Sequence, residues 1–363
     1  MDDARRFFAD SYAEAREKFL AAAEAAGLDV QSHSHPMRGR DGESLAMDVA
    51  RFGAHDAEAV LIVSSGCHGI EGFCGSGVQG VLLADREFHA AADAAGVAVL
   101  YVHALNPYGF SWWRRATHEN VDLNRNFRDF SQAAPPNPGY DELAHALVPA
   151  QWPPSPENEA VILGYAQRHG MAALQQAVSG GQYQHPQGLF YGGAGPTWSH
   201  QTLRHVLQDH GRHCQRLGWI DLHTGLGPSG VGERIAAMRD DAAALARARQ
   251  WWGQHVTSLF DGSSSAAQLV GLMWHCAYEE CPQAEYTGIA LEYGTVPLQA
   301  TIQALRAEQW LENHPEVGAP QAQLIKQALR DAFYVNTDDW RRAVLAQGRE
   351  VALQAVQGLR AGG

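Results

Sequence analysis

Short apolar runs alternate along this chain with stretches in which apolar residues recur at every third or fourth position. The runs predict strands at Ser44–Arg51, Ala59–Ser64, Val97–His103, Gly188–Tyr191, Trp219–His223, Glu233–Met238 and Ile289–Tyr293. Several are apolar at consecutive positions, the pattern of a strand covered on both faces. The recurring stretches predict helices at Gly75–Ala84, Glu157–His169, Trp198–Gln215, Ala242–Val256, Leu298–Glu312, Ala322–Phe333 and Trp340–Leu359. Phe8, Tyr12, Ala15, Phe19 and Ala22 share one helical face, predicting a docked helix over 2–27 with Asp2 or Asp3 as its cap and Gly27 as its end. Alternating strands and helices indicate an α/β layer architecture. The Pro/Gly-rich stretches at 133–140 and 151–156 read as a long loop, because the alternation resumes after them, and one domain over 1–363 is expected.

Composition narrows the function classes. The chain is 45% hydrophobic and 18% charged, normal for a soluble protein with a sizeable core. Its net charge of −13 argues against nucleic acid or an anionic membrane as partner. No apolar run reaches the roughly 20 residues of a membrane span. The first residues lack the basic start, apolar middle and cleavage site of a signal peptide, so a cytoplasmic location is expected. The five cysteines (Cys67, Cys74, Cys214, Cys276, Cys281) form no CxxC pair, which fits reduced thiols and disfavours a zinc-thiolate site.

Candidate chemistry gathers where the apolar runs end. "SSGCHGIEGFCGSG" places His68 and Glu71 directly after a strand, among glycines expected to leave room for water and substrate at Gly69 and Gly72. An imidazole and a carboxylate are common zinc ligands, and a catalytic zinc needs a third. "WIDLHTGLG" offers one in His223, again at a strand's end, with Asp221 either orienting it or serving as a buried partner for a backbone amide. "NPYGFSWWRRATHENVDLNRNF" supplies Arg115 and Arg125, which serve either as partners of nearby acids or as a carboxylate-binding fork. "GIALEYGT" places Glu292 at the end of another apolar run. Strand carboxyl ends form the ligand crevice of open α/β sheets, so these polar groups fit one site.

The order His68-x-x-Glu71, Asn106-Pro-x-Gly109, Asp122-x-Asn124-Arg125-Asn126, His223, Glu292 resembles the zinc carboxypeptidase family, closest to a bacterial carboxypeptidase-like branch with a GIEGFCG-type first motif. The matched region runs from about residue 59 to 296; the N-terminal helix and the C-terminal helices at 298–359 lie outside it. The resemblance implies a single α/β domain with a mixed, mostly parallel central sheet flanked by helices. It implies that His68, Glu71 and His223 hold one Zn²⁺, and that Asp122 steadies the first histidine. It implies Asn124 and Arg125 as the grip on a substrate's free carboxylate, Arg115 (with Arg114 adjacent) as the polariser of the attacked carbonyl, and Glu292 as the general acid/base. The family often adds a mobile tyrosine, for which Tyr278 and Tyr286 are in range. The implied activity is a zinc metallohydrolase acting on a small peptide or acylated amino acid with a free carboxylate, most simply a carboxypeptidase. An N-acyl amino-acid deacylase needs the same groups, and a non-catalytic peptide-binding protein would need the pocket without Glu292. The segment Gly181–Ser199 is either a wall of that pocket or an ordinary loop.

Overall fold

A computed structural model describes residues 3–264 and 266–360. The chain forms strands β1 (Val30–Arg38), β2 (Ser44–Phe52), β3 (Ala59–Ser65), β4 (Val97–His103), β5 (Arg216–Ser229), β6 (Gly232–Ala236) and β7 (Glu285–Gly294). They make one seven-stranded sheet in the order β1-β2-β4-β3-β5-β7-β6. β4, β3, β5 and β7 pair in parallel, β2 and β6 run against them, and β1 pairs antiparallel with β2. This is the mixed, mostly parallel α/β sheet that the resemblance implies. Every residue of β3 and β4 is buried, as their unbroken apolar runs require. The helix Gly72–Ala84 packs on β3 and β5 and against the C-terminal helix Asp338–Leu359, and one apolar core runs from Ala4 to Leu359.

Several boundaries differ from the expectation. β1, with the sequence VQSHSHPMR, carries too little apolar pattern to be read as a strand; as an edge strand it needs only one partner and is largely exposed. Gly188–Tyr191 is not a strand. Only Tyr191 makes an isolated bridge to Gln182, and Phe190 sits at φ +55°, incompatible with a ladder. The helix from Trp198 ends at His210 and that from Ala242 at Trp252, where Gly253 turns to φ +96°. At the N-terminus a short turn (Ala4–Phe7) precedes the helix Tyr12–Ala25. That helix is capped by Ser11, which accepts from Glu14 N, rather than by Asp3; Asp2 lies outside the described residues. Helices Arg86–Ala95, Pro138–Leu147 and Met171–Ser179 were not anticipated.

The turns after β3 and β4 lock together and set the site. Leu105 N donates to Ser65 O and Asn106 N to Gly66 O, while Gly69 N and Ile70 N donate to the carbonyls of Arg115 and Arg114. Asn106 builds its side of the junction, accepting from Gly109 N at 2.8 Å and donating to Arg115 O at 3.2 Å. A Cβ at position 69 would lie 2.0 Å from the Gly109 carbonyl carbon, and one at 72 would lie 2.4 Å from the Phe110 ring. These glycines therefore admit the neighbouring turn, which corrects the expectation that they leave room for water and substrate. Gly69→Ala should destabilise the protein by about 1–3 kcal/mol, the range for overpacking against atoms that cannot yield. A denaturant midpoint equal to wild type would show that the two turns do not meet this closely.

Candidate metal centre and active site

Sheet register brings the site residues together. β3 and β5 align Ser64 with Asp221, and β5 and β7 align His223 with Glu292, so one end of the parallel sheet presents His223 beside Glu292. His68 and Glu71 arrive from the turn after β3, and Arg115, Asp122, Asn124 and Arg125 from the segment after β4.

Glu71 lies between the two imidazoles. Its Oε1 is 2.8 Å from His68 Nδ1 and its Oε2 is 2.9 Å from His223 Nδ1. One ligating atom from each of His68, Glu71 and His223 can be chosen so that all lie within 4.8 Å of one another, and all three residues are buried. The far nitrogen of each ring meets its own carboxylate: His68 Nε2 is 3.2 Å from Asp122 Oδ1, and His223 Nε2 is 2.5 Å from Asp221 Oδ2. Two imidazoles and a carboxylate, with each imidazole oriented by an acid on its other nitrogen, match the chemistry of a zinc site. A second cluster, Cys67, Asp221 and His223, shares His223. It fits a metal less well, because burial pushes the Cys67 thiol well above its usual range and Asp221 is already engaged by Ser64 Oγ at 2.6 Å.

The surrounding charges fix the ionisation of this centre. Burial opposes the Glu71 charge, but His68 and His223 overcome it and hold the carboxyl well below the usual range. Asp122 is likewise buried and held low by Arg115, Arg125 and His68. Burial opposes a charge on His223, and Asp221 and Glu71 outweigh it, raising its pKa well above the ordinary value. Glu292 is the exception. Burial and then the negative Glu71 push its carboxyl up to about 8, with Leu226 N donating to it at 3.0 Å.

The two arginines of the tandem diverge. Arg114 turns away, to Glu308 at 2.9 Å and Glu312 at 3.3 Å. Arg115 turns in, with Nε 3.0 Å from Asp122, Nη1 3.2 Å from Glu71 and Nη2 2.8 Å from His68 Nε2. A proton on His68 Nε2 suits Asp122 and opposes Arg115 Nη2, so these two contacts belong to opposite tautomers. Arg125 is buried and donates from Nη1 to Asn124 O and from Nη2 to Ser179 O, leaving Nε without a partner among the described residues. Asn124 Oδ1 accepts from Met273 N at 3.1 Å. Both guanidinium groups lie over the ring of Phe190, 5.2 Å from Arg115 and 5.6 Å from Arg125.

His68, Glu71, Arg115, Asn124, Arg125, His223 and Glu292 all line one cavity of about 690 Å³. Asp122 stands behind it. Of Gly181–Ser199, Phe190 supplies wall, while the rest of that segment is pinned by Asn126 Nδ2 donating to the carbonyls of Gly192 and Gly195. Tyr286 bonds to Ala237 O and Tyr278 to Arg239 N, so neither is a pocket tyrosine, and no tyrosine lines the cavity among the described residues. Sequence reasoning did not find Ser64 and Trp219. Trp219 Nε1 donates to Ser64 Oγ at 2.7 Å, and Ser64 donates to Asp221, which faces His223. Two polar residues on neighbouring strands facing the same side were the available signal.

No curated protein matches the sequence. Solved structures similar in fold include thrombin-activatable fibrinolysis inhibitor (12% identity, 96% of this chain and 74% of that one, TM-score 0.48). Bovine thrombin-activatable fibrinolysis inhibitor, in complex with tick carboxypeptidase inhibitor, matches at 12% identity over 94% of this chain and 97% of that one, with a TM-score of 0.47. A metallo-carboxypeptidase from Pseudomonas aeruginosa, in complex with (2-guanidinoethylmercapto)succinic acid, matches at 14% identity over 92% of this chain and 69% of that one, with a TM-score of 0.39. Identities this low carry no chemistry from one protein to another. One family spans residues 8–347, nearly the whole sequence, and to it this chain belongs: DUF2817, described as a protein of unknown function.

Proposed function

We propose that the chain is a zinc-dependent hydrolase cleaving an amide bond next to a free carboxylate, in the manner of a metallocarboxypeptidase. The observation that carries this reading is the convergence of His68, Glu71 and His223, each imidazole backed by its own aspartate, in a cavity that also holds Glu292. When bound there, zinc supplies Lewis acidity, polarising a carbonyl and making water acidic near neutral pH.

Glu292 takes the proton of the attacking water and returns it to the leaving nitrogen. In the metal-free site burial and the charge of Glu71 push the Glu292 carboxyl up to about 8, so it takes up a proton more readily than an ordinary carboxylate. Arg115 holds a permanent positive charge beside the ligands, where negative charge develops on the carbonyl oxygen, and its Nη2 is the donor released when His68 Nε2 carries a proton. Arg125 and Asn124 hold the substrate's carboxylate and so align the scissile bond. Glu292 in the lining opposes a purely binding role, which has no need of a general base. The apolar part of the cavity favours a second reading, an N-acyl amino-acid deacylase. All five cysteines are free and buried, which supports the proposed cytoplasmic location.

Purified protein should carry about one zinc per chain, and His223→Ala should lose it; metal retained in that variant would remove His223 from the site. Arg125→Ala should raise KM about 10–100-fold for substrates with a free carboxylate and far less for their amides, so equal effects would refute the clamp. Glu292→Gln should keep the metal while kcat falls by about 10²–10⁴-fold, and unchanged turnover would remove the residue from the chemistry. The same variant has a pH signature without metal. Between the ordinary 4.5 and about 8 the folded protein holds a proton on Glu292 that the unfolded chain releases, so this stabilisation is complete below 4.5 and is lost as pH rises towards 8. Metal-free wild type should therefore lose stability relative to Glu292→Gln across that window, and parallel melting curves would contradict it.

A further inference from the structure

The cavity has two chemistries. The polar groups gather at the sheet end, whereas much of the remaining wall is aliphatic: Ile162 and Leu163 from the helix Pro156–His169, Leu174 from Met171–Ser179, Ile302 and Leu305 from Leu298–Glu312, with Leu269 from the loop before residue 273. Among the described residues, nine large apolar side chains stand exposed, and three of them, Leu163, Met171 and Leu298, line this cavity. Apolar surface concentrated at the rim of a cavity marks a site for an apolar ligand. Leu163 and Met171 are 60% and 70% exposed, an arrangement that favours covering by ligand.

The wall also says what kind of apolar group fits. It is built largely from helix faces, whose backbone N–H and C=O groups bond within the helices. A peptide laid along them would bury amides without partners, which is costly, whereas an alkyl chain has none to satisfy. The charged pair in this part of the lining is closed on the protein: Arg306 donates to Leu147 O, Ala146 O and Glu159, and its side chain is buried.

We propose that the substrate carries a long aliphatic chain, an N-acylated amino acid with a fatty acyl group, whose carboxylate meets Arg125 and Asn124 and whose chain lies on the wall of Leu163, Leu174, Ile302 and Leu305. This names the substrate of the proposed hydrolase and rests on that reading for the cleavage step. Hydrolysis adds water across the amide, giving a fatty carboxylate and the free amino acid, with Glu292 moving the proton to nitrogen.

The test uses the full chain with zinc and one amino acid acylated with acetyl, hexanoyl, decanoyl or myristoyl groups, beside dipeptides ending in leucine or phenylalanine. kcat/KM should rise about two- to fourfold per added methylene until the wall is filled. Calorimetric binding of the same series to Glu292→Gln should tighten in parallel. Leu163→Gln and Leu298→Gln, at exposed positions where folding is not at stake, should flatten the rise with chain length. Cleaved dipeptides with no dependence on acyl length in rate or binding would overturn the acyl chain and leave the hydrolase. Binding that tightens with chain length while nothing is cleaved would keep the chain site and overturn the hydrolase.

Discussion

One carboxylate between two imidazoles holds this site together. Glu71 faces His68 with one oxygen and His223 with the other, and all three residues are buried. Burying an ionised carboxylate is costly unless it is paired, and here the pairing outweighs burial. The requirement propagates outward. Each histidine needs an acid on its far nitrogen, Asp122 needs Arg115 and Arg125, and Asp221 needs the hydroxyl of Ser64, itself held by Trp219. A divalent cation in the same place would meet a donor set already oriented for it, which is why the arrangement supports the proposed metal.

That balance also explains the different state of Glu292. It lies beside His223 on the neighbouring strand and close to the negative Glu71, with a backbone amide as its one donor among the described residues, so its charge is opposed where that of Glu71 is supported. Two carboxyls in one cavity thus have separated proton affinities, the condition for one to serve as ligand and the other as acid and base.

The scaffold also reaches the site through backbone contacts. The turn carrying His68 and Glu71 hangs from the carbonyls of Arg114 and Arg115, which ties those two residues to the arginine that faces them. The helices after β7 contribute Leu298, Ile302 and Phe333 to the cavity, although they lie outside the stretch in which motifs could be matched. The apolar wall is thus completed by helices outside that stretch, and the proposed substrate spans it and the polar end.

Much of the fold was legible because buried parallel strands announce themselves as unbroken apolar runs; β3 and β4 were placed within a residue, while the polar edge strand β1 was invisible for the opposite reason. The residue types and order at strand ends were likewise readable, since His68, Glu71, His223 and Glu292 all interrupt apolar patterns. The sequence by itself determined which apolar runs form the buried strands and which polar groups interrupt or follow them, although β5 does not end at His223 as expected but runs on to Ser229. Only the tertiary structure decided that Arg115 turns inward and Arg114 outward, that Gly69 admits a neighbouring turn, and that the cavity wall is aliphatic. Those outcomes depend on strand register and on contacts between segments far apart in the chain, and local pattern carries no information about either.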